Sequence, residues 1–248
     1  MKKISRNLSL LLFGTISVLL LSAMSSSSTS AISAYAISNY SMVPSSTQGV
    51  KSCSGSLSQN TDWSNCDVSY ADLSFLNLSG INLSGANLQN VRLYGTNLSG
   101  ANLQGANLVN DDLDNANLSG ANLKGVSTQG GDVYSTNFSN ADLSNANLEG
   151  LNLAYANFNG ANLSGANLSD TMAANVNFAN GDLQDSNLSA AWLRGDNFTA
   201  GNLIGTDLHD SDAAYSYFHG ADLTGANIIG FSAVGADFSC HGSPFCNS

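Results

Sequence analysis

From Cys66 to Cys240 the chain divides into thirty-five consecutive five-residue units with no insertion or deletion, and this period constrains the fold more than any other feature. The third residue of a unit is Leu in 22 units and Phe in 6, and the second is Asn in 19 and Asp in 10. The fifth is Gly in 17, Asn in 7 and Asp in 3, the residues that best tolerate a positive φ. On an α-helix a five-residue step rotates by about 500°, which would scatter the Leu residues around the cylinder. On a straight strand five steps reverse the side chain, so successive Leu residues would alternate between core and water. The chain must therefore turn a corner in every unit. Ala101 and Leu103 then point inward and Asn102 outward, and Gly105 takes the positive φ of a type II turn.

The number of corners per coil follows from the six central phenylalanines, Phe138, Phe158, Phe178, Phe198, Phe218 and Phe238, which are always twenty residues apart. Four units then make one coil of a square tube, and the rings form a core stack on one wall at the strand spacing of roughly 4.8 Å. Thirty-five units give about nine coils, roughly 42 Å of tube. Successive coils pair backbone to backbone, which accounts for the confinement of proline to Pro44 and Pro244. Thr128, Ala173, Ala213 and Ala233 interrupt the large apolar position, and local thinning of the core is expected there.

The A-[D/N]-L-x-x frame, clearest in ANLSG and ANLKG, resembles the pentapeptide-repeat family over 175 of 248 residues. The resemblance implies an all-β fold, a right-handed quadrilateral β-helix. It also brings in an acidic DNA-mimic function, since gyrase-protecting and gyrase-inhibiting members use an acidic rod of this fold. Duplex DNA carries about one charge per 1.7 Å, or about 25 over the expected length, more than this chain supplies. Those relatives are also described by a dimerising C-terminal helix, whereas the segment Cys240 to Ser248 has no helical pattern.

Lys2, Lys3 and Arg6 precede an apolar run from Leu8 to Leu21 that is too short and too Ser/Thr-rich to span a bilayer comfortably. Residues 1–36 read as a secretory signal, cleaved near Ala23 or at Ala34-Tyr35-Ala36, with an uncleaved membrane-anchoring N-terminus as the alternative. Residues 37–52 read as a Ser-rich linker, 53–65 as an N-terminal cap, 66–240 as the β-helix and 241–248 as a C-terminal cap. An exported product, periplasmic or extracellular and without a stable membrane span after cleavage, is expected. In that compartment the four cysteines at the ends argue for two local disulfides, Cys53 with Cys66 and Cys240 with Cys246. Free thiols or an intermolecular bridge are the alternatives.

Seven bases against eighteen acids exclude a protein that neutralises nucleic-acid phosphates directly; loss of the three signal bases leaves four against eighteen, or −14. Charged partners should be cationic. His209 and His219 lie half a coil apart and His241 lies in the tail, so they share neither a metal nor a triad. No catalytic constellation, metal or cofactor is expected, and Gly130-Gly131-Asp132 is only a fragment of a calcium-binding β-roll repeat. Sorted by the twenty-residue coil, one wall is the least regular. It holds six of the eight outward aromatics, Phe75, Tyr94, Tyr134, Tyr155, Trp192 and Tyr215, with Tyr70 and Tyr217 elsewhere. Arg92 and Arg194 lie on it beside Asp111, Asp112, Asp114, Asp132 and Asp212, a mixture typical of recognition surfaces. Arg92, Tyr94, Tyr134, Tyr155, Trp192, Arg194 and Tyr215 are the candidate contacts for a protein or glycan. The same tyrosines would equally serve to cover the coil edges, and the sequence does not separate binding from packing.

Overall fold

The computed structural model describes residues 57–246, all within the unit Val43–Ser248. Its backbone bridges are parallel and join residues twenty apart, from Asp62↔Asn82 to Tyr217↔Asp237, so four five-residue units close one coil. Each side is a single bridge rather than a strand, because only three extended residues fit between corners. Every fifth residue from Asn60 to Gly235 has a positive φ, and this makes the corners. Pairing already begins at Asp62, within the stretch expected as an N-terminal cap. At the other end the register shifts by one residue, and Asp222 pairs with His241.

The unit 81–85 shows how all five N–H groups are satisfied. Ile81 closes the preceding turn onto Leu78 O at 3.1 Å, and Asn82 donates to Thr61 O of the preceding coil at 2.9 Å. Leu83 and Gly85 donate to Asn102 O and Gln104 O of the following coil at 2.7 and 2.9 Å. The remaining donor, Ser84, reaches Asn82 Oδ1 at 3.2 Å. The outward Asn or Asp is thus the acceptor for the one N–H that the coils leave over. An Asn also donates its Nδ2 to the equivalent residue one coil back, as Asn102 does to Asn82 at 3.1 Å.

Inside, Phe138 to Phe238 stack with centroids 4.8–5.2 Å apart and planes within 10° of parallel. Phe138 to Phe218 are completely buried. At the C-terminal end Phe238 is half-buried, and Phe245 stacks on it at 5.3 Å from the loop closed by the Cys240–Cys246 disulfide. Phe231 packs edge-on against Phe218 and Phe238. Cys66 is disulfide-bonded, while Cys53 lies outside the described residues, as do the expected signal and linker. Thr128, Ala173 and Ala213 are buried. At the corner after Ala173 the Val176 N–H goes to Asp196 Oδ1 at 2.8 Å instead of closing the turn, whereas the turns after Ala213 and Ala233 stay closed.

Phe178 has a ring above and a ring below, so Phe178→Ala should cost about 3–5 kcal/mol of unfolding free energy by lost burial and a cavity. Equilibrium denaturation checks this, and a loss below about 1 kcal/mol would contradict the stacked column.

Candidate functional site: the aromatic wall

The wall made by units 71–75, 91–95 and so on to 231–235 breaks the hydrogen-bond rule of the other three. Six units of 66–240 lack Asn or Asp at the second position, and four of them, Arg92, Met172, Trp192 and Ser232, lie here. Met172 and Trp192 bridge one another on adjacent coils and are 50% and 66% exposed. Neither can accept from the N–H two residues on, so Ala174 and Arg194 lack the acceptor that Ser84 has in Asn82. At Asp132 the pattern is rerouted: Tyr134 N–H donates to Asp114 Oδ1 of the preceding coil at 2.7 Å. Among the described residues, no amide ladder runs along this wall.

Backbone conformation shows the same departure. Phe75, Tyr155 and Tyr215 occupy the positive-φ corner with φ of 61, 62 and 64°, where most units place Gly, Asn or Asp. An L-residue there is strained by about 1–2 kcal/mol. Some of this aromatic surface is packing. A Cβ on Gly95 or Gly235 would lie 3.0 Å from the ring of Phe75 or Tyr215, so those rings rest on the turns of the next coil. Phase with the neighbouring coil also makes two edge-to-face pairs, Phe75 with Tyr94 at 5.3 Å and Tyr134 with Tyr155 at 5.5 Å. Tyr134 and Tyr155 remain 40% and 56% exposed, and Trp192 has no ring partner in these pairs.

Charge divides the wall. Arg92 pairs with Asp72 at 3.8 Å and Arg194 with Asp212 at 3.7 Å. Asp112 and Asp132 face each other across a bridge, and Asp114 lies beside them. Burial first, and then the charges of Asp112 and Asp132, raise the Asp114 carboxyl above the usual range, against the Tyr134 N–H.

Asp111 corrects the sequence reading, which placed it on the outer surface. It holds the inward first position, 1% exposed, and its Oδ1 accepts Val91 N–H at 2.8 Å while Oδ2 has no partner. Burial pushes its carboxyl up to about 8. Asp196 repeats the arrangement, fully buried, with Oδ1 on Val176 and Oδ2 unpartnered, and burial drives it up as well. Sequence reasoning missed both; the signal was an acid where most units have Ala or another small residue.

Among the described residues, no group of three or more His, Cys, Asp or Glu side chains could hold a metal ion, and no helix is long and apolar enough to cross a membrane. His209 Nδ1 lies 3.0 Å from Asp207 Oδ1. Gly131 of the Gly130-Gly131-Asp132 fragment packs against backbone, since a Cβ there would meet Asp111 O at 2.8 Å.

A four-sided coil with an Asn/Asp-Leu centre defines a class of solenoid, and the sequence profile of pentapeptide repeats matches in eight copies spread over residues 53–127 and 134–239. The chain belongs to the pentapeptide-repeat family, whose fold is the right-handed quadrilateral β-helix. No curated protein sequence matches it. Among solved structures it is similar to HetL, a pentapeptide repeat protein involved in heterocyst differentiation regulation from the cyanobacterium Nostoc sp. strain PCC 7120. The identity is 26% over 75% of this chain and 86% of that one, with a TM-score of 0.40. It is also similar to QnrB1, a plasmid-mediated fluoroquinolone resistance protein (17% identity, 74% and 91% covered, TM-score 0.31). A third is a pentapeptide repeat protein from the Arabidopsis thaliana thylakoid lumen (23%, 56% and 79%, 0.23).

The two buried acids set a pH dependence. A folded-state pKa above the unfolded value means that the folded chain binds the extra proton, so their contribution to stability is full below about pH 4 and is lost as pH rises. For Asp111 that loss is complete as pH passes about 8. Unfolding free energy should fall between pH 5 and 8, and Asp111→Asn should flatten the slope; a wild-type stability that rises across this window would contradict the neutral buried carboxyl.

Proposed function

We propose that the protein is an exported, non-enzymatic scaffold of about nine coils that binds another macromolecule, a protein or a glycan, along the aromatic wall. The observation that carries this is the wall's double departure from the repeat. It gives up side-chain acceptors at Met172 and Trp192 and takes backbone strain at Tyr155, while the other three walls together lose the Asn or Asp only at Ser127 and Tyr217. Lost acceptors concentrated on one face, with exposed rings and strained aromatic corners there, mark a surface shaped by something other than folding. Arg92, Tyr94, Tyr134, Tyr155, Trp192, Arg194 and Tyr215 are the proposed contacts, with Tyr215 also covering the turn at Gly235. Export rests on the basic-then-apolar N-terminus, and cell fractionation with determination of the mature N-terminal residue tests it.

A second reading, the acidic mimic of DNA, is favoured by the eighteen acids against Arg92, Lys124 and Arg194 within 57–246. Inhibition or protection of gyrase in a supercoiling assay would replace the first reading with it.

Tyr134→Ser, Tyr155→Ser and Trp192→Ser together should abolish capture of a partner from envelope extract. Gln104→Ala, Ser119→Ala and Ser164→Ala on other walls should leave capture unchanged. Equal capture by the two folded variants would reduce this wall to ordinary packing.

A further inference from the structure

The two halves of the aromatic wall differ in charge. Towards its C-terminal half, the large exposed apolar side chains are Met172, Trp192, Tyr215 and Val234, and the one cation, Arg194, is paired with Asp212. Towards its N-terminal half, Arg92 is paired with Asp72, and the next two outward residues of the same column are Asp112 and Asp132. Like charges placed directly opposite across neighbouring strands are destabilising. Asp114 adds a third carboxylate, and among the described residues none of the three forms an ion pair. On the C-terminal side of this set stand the exposed rings of Tyr134 and Tyr155 in edge-to-face contact; on the N-terminal side, Phe75 and Tyr94 form the other such pair.

Resting on the reading of this wall as a binding face, we propose that its stretch from Tyr94 to Tyr155 takes a cationic polypeptide segment. Lys or Arg side chains lie among Asp112, Asp114 and Asp132, and apolar side chains lie against Tyr134 and Tyr155. Charge complementarity selects this occupant. An incoming ammonium or guanidinium group relieves the repulsion between Asp112 and Asp132 and finds tyrosine faces within reach for cation–π contact. An uncharged glycan would use the rings but leave the carboxylates facing one another. Nucleic acids and acidic glycans are repelled by a chain with eighteen acids and seven bases. The Asp114 carboxyl is raised first by burial, and the neighbouring charges of Asp112 and Asp132 add to this.

The test is calorimetric titration of the folded protein with a twelve-residue peptide of alternating lysine and leucine, beside cellohexaose as an uncharged glycan. The peptide should bind, more weakly as salt is raised. The triple variant Asp112→Asn, Asp114→Asn, Asp132→Asn keeps every side-chain oxygen that accepts a backbone N–H, and should weaken binding about tenfold. Asp142→Asn, Asp182→Asn, Asp222→Asn removes the same charge from another wall and should change it less than twofold. Equal weakening by the two triples would reduce the effect to net charge and overturn the proposal. So would cellohexaose binding that the aromatic variant Tyr134→Ser, Tyr155→Ser abolishes, together with peptide binding that ignores the first Asp triple; the wall would then stand as a binding face for another occupant. Loss of any response to both the aromatic and the acidic variants would remove the binding face itself.

Discussion

Each coil is held by a complete accounting of backbone donors, and the rest of the structure depends on it. A five-residue unit offers five N–H groups; the neighbouring coils take three and the turn takes one. The fifth is turned outward, and an Asn or Asp side chain two residues earlier must accept it, as Asn82 does for Ser84. An unmade hydrogen bond costs more than a made one contributes, so the second position is restricted for a backbone reason although it faces solvent. The Leu or Phe beside it fills the column, and the corner residue supplies the positive φ. Four of the five positions thereby serve the backbone or the core, and little is left to vary without loss.

Against that background, departures carry information. The wall with Arg92, Met172 and Trp192 gives up the acceptor in those coils, and at Phe75, Tyr155 and Tyr215 it takes strain at the corner. Part of the return is structural, because Phe75 and Tyr215 cover the turns of the next coil. Tyr134, Tyr155 and Trp192 are exposed as well, and the carboxylates of Asp112, Asp114 and Asp132 lie near exposed rings and form no ion pair among the described residues. A partner of complementary chemistry resolves both features at once.

Much of this geometry is legible in the sequence because each element follows from a short rule repeated many times. The spacing of Phe138 to Phe238 gives the twenty-residue coil, and the Gly, Asn and Asp residues at the fifth position mark the corners. Single substitutions are harder to read. Asp111 sits in the same outward-looking run as Asp112 and Asp114, and only the inward direction of the first position shows that it is buried. The outward Asn reads as a surface residue in the sequence, and its backbone role shows only where the N–H of Ser84 meets Asn82 Oδ1. The packing of Phe231 and Phe245 on the last rings depends on how the chain folds back after Phe238, where the period no longer applies.

The central claim is that one coil is four units, with every contact between coils repeating at twenty residues. Deleting residues 137–156 removes one such coil and returns every wall to register, because each coil contacts only its neighbours. Deleting residues 137–151 removes three units and rotates everything that follows onto the wrong wall, separating the Phe158 to Phe238 column from Leu118. Circular dichroism and cooperative denaturation of the two variants should show the twenty-residue deletion folded, with stability close to that of the intact chain, and the fifteen-residue deletion severely destabilised. Equal stability of the two, or unfolding of the twenty-residue variant alone, would contradict the account.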